Sequence, residues 1–241
     1  MTITSKPYRL DKYLCACGHG SRTQVTRLIK RGIVTVNGEQ VRSGSTRIIA
    51  TDSVHVGGSL VSESPAVMLW HKPTGVQCTI GDPMGRVSLI DVIPGHVLER
   101  YHPVGRLDAD TSGLLIFSRF GGLTQRLLHP KHGLARSYRA TCEVPFTQEH
   151  THALESGVET SLGTFCAVVH ETAGNVIELS VTEGKYRMVR RMLANVGQPV
   201  SQLTRIKYGP FQLDELPSEQ LRAPTEQEVD EAATMGLPGF S

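Results

Sequence analysis

Within residues 7–57 the spacing of apolar side chains changes period, and that change limits the fold more than any bulk property does. Leu10, Tyr13 and Leu14 stand at i, i+3, i+4, the stripe of a short helix that Gly18 and Gly20 would end. Ser21 and Gln24 form a capping box for a second helix, in which Val25, Leu28 and Ile29 face inward while Arg22, Lys30 and Arg31 stay outside; Gly32 closes it. The period then falls to two. Ile33, Val34 and Val36 lead into Asn37-Gly38, a pair that tolerates positive φ and so favours a tight hairpin, and strand-like segments follow at 47–49 and 54–56. The next stretch, GGSLVSESP at 57–65, is small and polar with little to anchor it in a core. We therefore expect a small domain over residues 1–60 and a larger one over 66–241, with a linker between them about which the first can swing.

Charge divides the chain in the same place. Residues 1–60 carry nine Lys and Arg against three Asp and Glu, residues 61–213 carry 15 against 13, and residues 214–241 carry one against seven. The formal charge of +2 hides a basic head, which suits a partner bearing phosphates but is equally the pattern of a solvated basic face. No apolar run approaches the ~20 residues that span a bilayer, and the opening MTITSKPYRL lacks the apolar centre of a secretory signal, so a cytoplasmic protein is expected. The five cysteines (15, 17, 78, 142 and 166) are odd in number and lack paired spacing, which argues for reduced thiols over disulfides or a zinc site.

In the larger part, Val67 to Trp70 is a short apolar strand ended by His71-Lys72-Pro73-Thr74-Gly75, a turn by composition. The segment HPVGRLDADTSGLLIF places Arg106 and Asp108 in a loop that Gly105 allows to turn sharply, just ahead of a buried strand at 114–117. Polar residues at the mouth of a rigid strand are well placed to act on a ligand, although an ion-paired structural loop has the same composition. Farther on, Val189, Met192, Leu193 and Val196 stand at i, i+3, i+4, i+7, a helix face turned to the core, with Gly197 as its stop. Thr225 and Glu228 make a capping box for an acidic C-terminal helix.

Two resemblances rest on these residues. RLDKYLCACGHGSRTQVTRLIKRGIVTVNGEQV is similar to the S-four type RNA-binding domain. That likeness implies that the helix pair grips structured RNA, with Arg9, Lys12, Ser21, Arg22, Thr23, Arg27 and Lys30 as contacts that position phosphates, one or two of them merely solubilising the helices. GRLD at 105–108 with Thr111, Gly113, Leu114 and Leu115 resembles the hallmark of the RsuA-type pseudouridine synthases, which include RluB, RluE and RluF. HKPTGV, DPMGR (82–86), GLTQRLLHP (122–130), RSYRA around Tyr138 and EGKYRMVRRMLANVGQPV (183–200) follow the same family in order.

This second resemblance implies the roles of the site. Asp108 attacks the sugar of a target uridine or removes its 2′-proton, the glycosidic bond to nitrogen breaks, and the uracil reattaches through carbon. A carboxylate suits either route without a cofactor, provided it stays ionised. Arg190 is the implied ion-pair partner of Asp108, and Tyr138 the ring that stacks on uracil. Lys185 is the basic residue near the pocket, and Arg106 fills the gap left by the everted base or clamps a phosphate. Arg187 and Arg191 would meet phosphates or solvent. Two departures stand out: Ala135-Arg136 replaces the usual Glu-Lys pair, and Arg187-Met188 the usual His-Gln, which puts substrate contacts in doubt rather than the chemistry.

The expected fold is α+β: a mixed, mainly antiparallel sheet with flanking helices carries catalysis, and a small N-terminal α/β domain binds RNA. The expected partner is ribosomal RNA or a pre-ribosomal particle, met by a monomer with no membrane contact, no metal and no organic cofactor. The rival readings are a catalytically silent RNA-binding or ribosome-assembly factor, disfavoured by intact Asp108, Tyr138 and Arg190, and a hydrolase. For the latter neither GxSxG nor HExxH is present.

Overall fold

The computed structural model describes residues 7–17, 19–20, 22–49, 51–61 and 65–240. Its backbone contacts divide the chain into two compact units, residues 1–66 with 239–241, and residues 67–238.

In the first unit the helices are Leu10–Ala16 and Arg22–Lys30. Leu10, Leu14, Val25 and Ile29 are fully buried against Val34, Ile48 and Val54, so the helical and strand stripes close one core. Val34–Val36 and Glu39–Gln40 pair through Asn37-Gly38, both at positive φ (53° and 84°), as the dipeptide predicts. The start of the expected linker differs. Gly57 and Gly58 (φ 59° and 81°) turn a second hairpin that pairs Val54–Val56 with Ser59–Leu60, and Val61 is buried, its carbonyl accepting from the Tyr13 hydroxyl at 3.3 Å. Composition marks these glycines as slack, but two adjacent positive-φ residues are also what a two-residue hairpin needs. Ser21 with its capping box, Gly18 and residues 62–64 lie outside the described residues.

The second unit is built on a nine-stranded sheet. Its main path runs Val168–Ala173, Val176–Val181, Arg136–Cys142, Val200–Tyr208, Ser112–Ser118, Val67–Lys72, Leu221–Arg222. Every neighbouring pair is antiparallel except Val200–Tyr208 with Ser112–Ser118, which is parallel. At that junction the backbones approach so closely that a Cβ on Gly113 would lie 2.3 Å from the Arg205 carbonyl oxygen; glycine is required there. The Met188–Asn195 helix buries Val189, Met192 and Leu193 on one face of the sheet, as their spacing predicts, and Met188 with them, while Val196, the fourth residue of the expected stripe, caps the helix half-buried just before Gly197 at φ 82°. The C-terminal helix Glu226–Thr234 begins with the expected Thr225–Glu228 box. Glu228 does more than cap: it is buried and takes Arg222 at 2.6 and 2.8 Å. The expected strand at 67–70 continues to Lys72, because His71 and Lys72 keep pairing with Leu114 and Gly113. No helix of the described residues is long and apolar enough to cross a membrane.

Candidate active site

A cavity of about 460 Å³ opens beside the parallel junction, within the ~300–1,000 Å³ usual for small-ligand sites. Asp108, Tyr138, Arg190, Arg106 and Lys185 all line it, although they come from three separate segments of the chain. Arg106 and Lys185 are exposed at its rim, Asp108 is half-buried, and Tyr138 is 9% exposed in its wall.

The loop that carries Asp108 is held from several directions. The Val104 amide donates to the Ile116 carbonyl at 2.7 Å, Gly105 turns at φ 73°, and the Leu107 amide donates to Cys78 Sγ at 3.3 Å. Below it lies Lys72, fully buried, whose ammonium donates to the carbonyls of Pro73 (2.9 Å), Asp108 (3.2 Å), Ala109 (3.4 Å) and Thr111 (2.9 Å). A cation caged by carbonyls fixes the loop as a metal ion would, while its positive charge lies beneath the Asp108 backbone. Burial pushes the Lys72 pKa down, and the charges of Cys78, Asp110 and Asp108 oppose that. Composition assigned this lysine to a turn; the signal that locates it is the strand alternation, which carries the inward face from Trp70 to Lys72.

Arg190 does not pair with Asp108, and this corrects the expected ion pair. Its Nη2 donates to the Asp110 carbonyl at 2.7 Å, its Nη1 to the Val200 carbonyl at 3.3 Å, and its Nε lies 3.5 Å from Asp110 Oδ2. Arg187, at φ 51° ahead of the helix, grips the Asp110 carboxylate at 3.1 and 2.8 Å. The reason is the turn closed by the Thr111 amide on the Asp108 carbonyl (3.0 Å), which hands the second aspartate to the helix. The Arg187 hydrogen bond, with the charges of Arg190 and Arg187, holds the exposed Asp110 carboxyl below its usual pKa against a partial loss of hydration. For Arg190 burial is the larger influence and lowers its pKa, against the pull of Asp110 and, more weakly, Asp108. Among the described residues the Asp108 side chain accepts no hydrogen bond and makes no ion pair, so its oxygens are available to a ligand.

The sequence did not single out Lys72, Asp110, Arg205 or Tyr208, and it noted Arg136 only as a departure. Arg136 is buried, donating to the Thr182 carbonyl (2.9 Å) and the Tyr208 hydroxyl (2.8 Å), which in turn donates to the Leu127 carbonyl (2.6 Å). Burial pushes the Tyr208 phenol up, so it remains a donor at neutral pH.

On the N-terminal unit Lys12, Arg22, Thr23, Arg27 and Lys30 are exposed, and the four cations among them make no ion pair among the described residues. Arg9 differs: it is tied to Asp11 through two hydrogen bonds, at 3.0 and 2.5 Å. The remaining expected contact, Ser21, lies outside the described residues.

These features have counterparts in known proteins. The family model for RNA pseudouridylate synthase matches residues 66–195, and that for the S4 domain matches residues 9–54. The chain is 36% identical over 217 residues to ribosomal large subunit pseudouridine synthase B of Vibrio cholerae, covering 86% of this chain and 68% of the relative. It is 31% identical to ribosomal small subunit pseudouridine synthase A of Vibrio vulnificus, covering 92% and 98%, and 32% identical to the large subunit synthase B of Bacillus subtilis, covering 92% and 93%. A crystal structure of a pseudouridylate synthase superposes with a TM-score of 0.64 at 28% identity over 92% of this chain and 98% of the other. With a family model spanning more than half of its length and relatives aligned along nearly all of it, the chain belongs to the RNA pseudouridylate synthases, isomerases of uridine, and carries an S4 domain ahead of its catalytic unit.

Proposed function

We propose that the protein converts a uridine of ribosomal RNA to pseudouridine, with Asp108 acting on the ribose of an everted nucleotide. The relatives' printed names supply the substrate class. The observation that carries the assignment of Asp108 is its carboxylate, without a partner among the described residues, at the wall of a cavity it shares with Tyr138. Everting a base costs a few kcal/mol, which the cavity returns by stacking on Tyr138 and by contacts at the rim from Arg106 and Lys185.

In this reading Asp108 either bonds to C1′ or takes the 2′-proton, and the Lys72 cage keeps it aimed. Arg190 acts through the Asp110 turn as a positioning residue. Residues 1–60 hold flanking RNA through Lys12, Ser21, Arg22, Thr23, Arg27 and Lys30, with Arg9 joining only by leaving Asp11, while residues 66–241 perform the chemistry. The enzyme works as a cytoplasmic monomer on ribosomal RNA or a pre-ribosomal particle, without a metal or organic cofactor. Incubating ribosomal RNA with wild-type protein and with Asp108→Ala, then mapping pseudouridines chemically, tests this: a site made by the first and not the second is expected. No modification by either, or equal modification by both, overturns it.

A further inference from the structure

The cavity floor holds two guanidiniums, those of Arg136 and Arg205, centred 4.6 and 5.1 Å from the centroid of the Tyr208 ring. Among the described residues neither pairs with a carboxylate. A buried cation without an anion needs neutral acceptors in its place. Arg136 has them in the Thr182 carbonyl and the Tyr208 hydroxyl.

Arg205 has one. It is 3% exposed, and its Nε donates to the Leu114 carbonyl at 2.8 Å. Its Nη1 and Nη2 donate to no group among the described residues, and Nη2 is sealed from solvent. The backbone fixes where this unmet edge lies. Arg205 stands directly across the ladder from Tyr138, and its other neighbour is Gly113, the residue that lets the two strands close on each other. One hydrogen bond, one aromatic face and two strands therefore hold a planar fork at the cavity with its donors unspent.

Resting on the function proposed above, we propose that Arg205 is a catalytic contact: its Nη1, the unspent donor that is not sealed in, donates to a carbonyl oxygen of the uracil and holds the charge that the ring acquires during the reaction. When the C1′–N1 bond breaks, both electrons leave with the uracil and spread over N1, O2 and O4. C1′ is then bonded to Asp108, or the sugar is left unsaturated with the 2′-proton on Asp108. After the ring turns, C5 bonds to C1′ as Asp108 departs or returns its proton to C2′. The C5 proton goes to solvent, and N1 takes one up. Nothing is oxidised or reduced, and the transient anion is the species a fixed guanidinium favours over the neutral starting ring. Arg190 is engaged by Asp110 and Val200, which leaves Arg205 as the donor already aimed.

The test uses transcripts of small- and large-subunit ribosomal RNA tritiated at uridine C5, with release to water read in single turnover and RNA affinity measured separately. Release by wild type from neither transcript overturns the proposed function itself. Where wild type is active, Arg205→Gln is expected to lose about 100-fold in rate at unchanged Kd, the scale of one lost oxyanion donor, with Arg205→Lys between the two. Transcripts made with 2-thio- or 4-thiouridine carry a poorer acceptor; sulfur at one of the two positions is expected to slow wild type about tenfold and Arg205→Gln no further. Wild-type rates in Arg205→Gln or Arg205→Lys overturn the inference. So does an equal sulfur effect in wild type and variant, which would mark Arg205 as packing under Tyr208. Should the Gln variant melt before assay, the Lys variant and the sulfur series on wild type decide: no rate loss in either overturns the contact.

Discussion

On the N-terminal unit Lys12, Arg22, Arg27 and Lys30 reach into water, whereas in the catalytic unit Lys72, Arg136 and Arg205 are sealed against carbonyls and a tyrosine ring. The same charge does different work in the two settings. Exposed cations attract phosphates at long range, tolerate small displacements and are screened by salt. Buried ones are stiff, specific in direction and insensitive to salt, and they act only on what has already entered the cavity. In the function proposed above, one unit gathers RNA and the other orients a single nucleotide.

This contrast can be broken at either end. The largest expected effect is at Asp108: Asp108→Asn keeps the shape of the loop and removes the reactive oxygen pair, so turnover should drop by at least about 1,000-fold with RNA affinity unchanged. A single-turnover assay beside a filter-binding isotherm separates the two quantities. Next is Lys72→Met, which leaves four buried carbonyls without their cation; we expect roughly 3 kcal/mol of lost stability, read by denaturant melts, together with lost activity. A variant of wild-type stability would mean that the cage is ornamental.

Asp110→Asn should cost about tenfold in turnover, because Arg187 and Arg190 lose the carboxylate they brace. The pH dependence of that brace has a definite sign. The folded Asp110 pKa is lowered below the usual 3.8, so its stabilisation is complete above that value and disappears only as pH falls through the lower folded one. Melting temperatures of wild type and Asp110→Asn measured down into acid should converge there and remain parallel at neutral pH. The smallest effect belongs to the head: Arg27→Ala or Lys30→Ala should each reduce the salt dependence of RNA binding by about one unit and shift stability by no more than about 0.5 kcal/mol. A loss of sequence preference without a change in salt slope would contradict the contrast directly.

Periodicity revealed the head's two helices, its Asn37-Gly38 hairpin and the Met188–Asn195 helix, because each reports which face of a local element is apolar. Asp108, Tyr138 and Arg190 were visible as motif residues, and all three reach one cavity. Their partners were not visible. Whether Arg190 meets Asp108 or Asp110 depends on a turn two residues wide, and a spacing pattern has no term for that. Arg205 looks like any polar residue in a strand until Val200–Tyr208 is laid beside Ser112–Ser118, a pairing of segments about 90 positions apart that no local signal encodes. Lys72 was misjudged because proline and glycine nearby dominate the composition, while three of the four carbonyls it meets come from 36 to 39 residues away.

The parallel junction also sets a timetable. Gly113 and Arg205 are synthesised far apart, and the chamber has no floor until the second of them has left the ribosome and docked against the first. A chain ending short of Tyr208 would display the motif aspartate without the strand that completes the cavity beside it. The helices and hairpins between Leu10 and Val61, by contrast, close their core from residues at short separation.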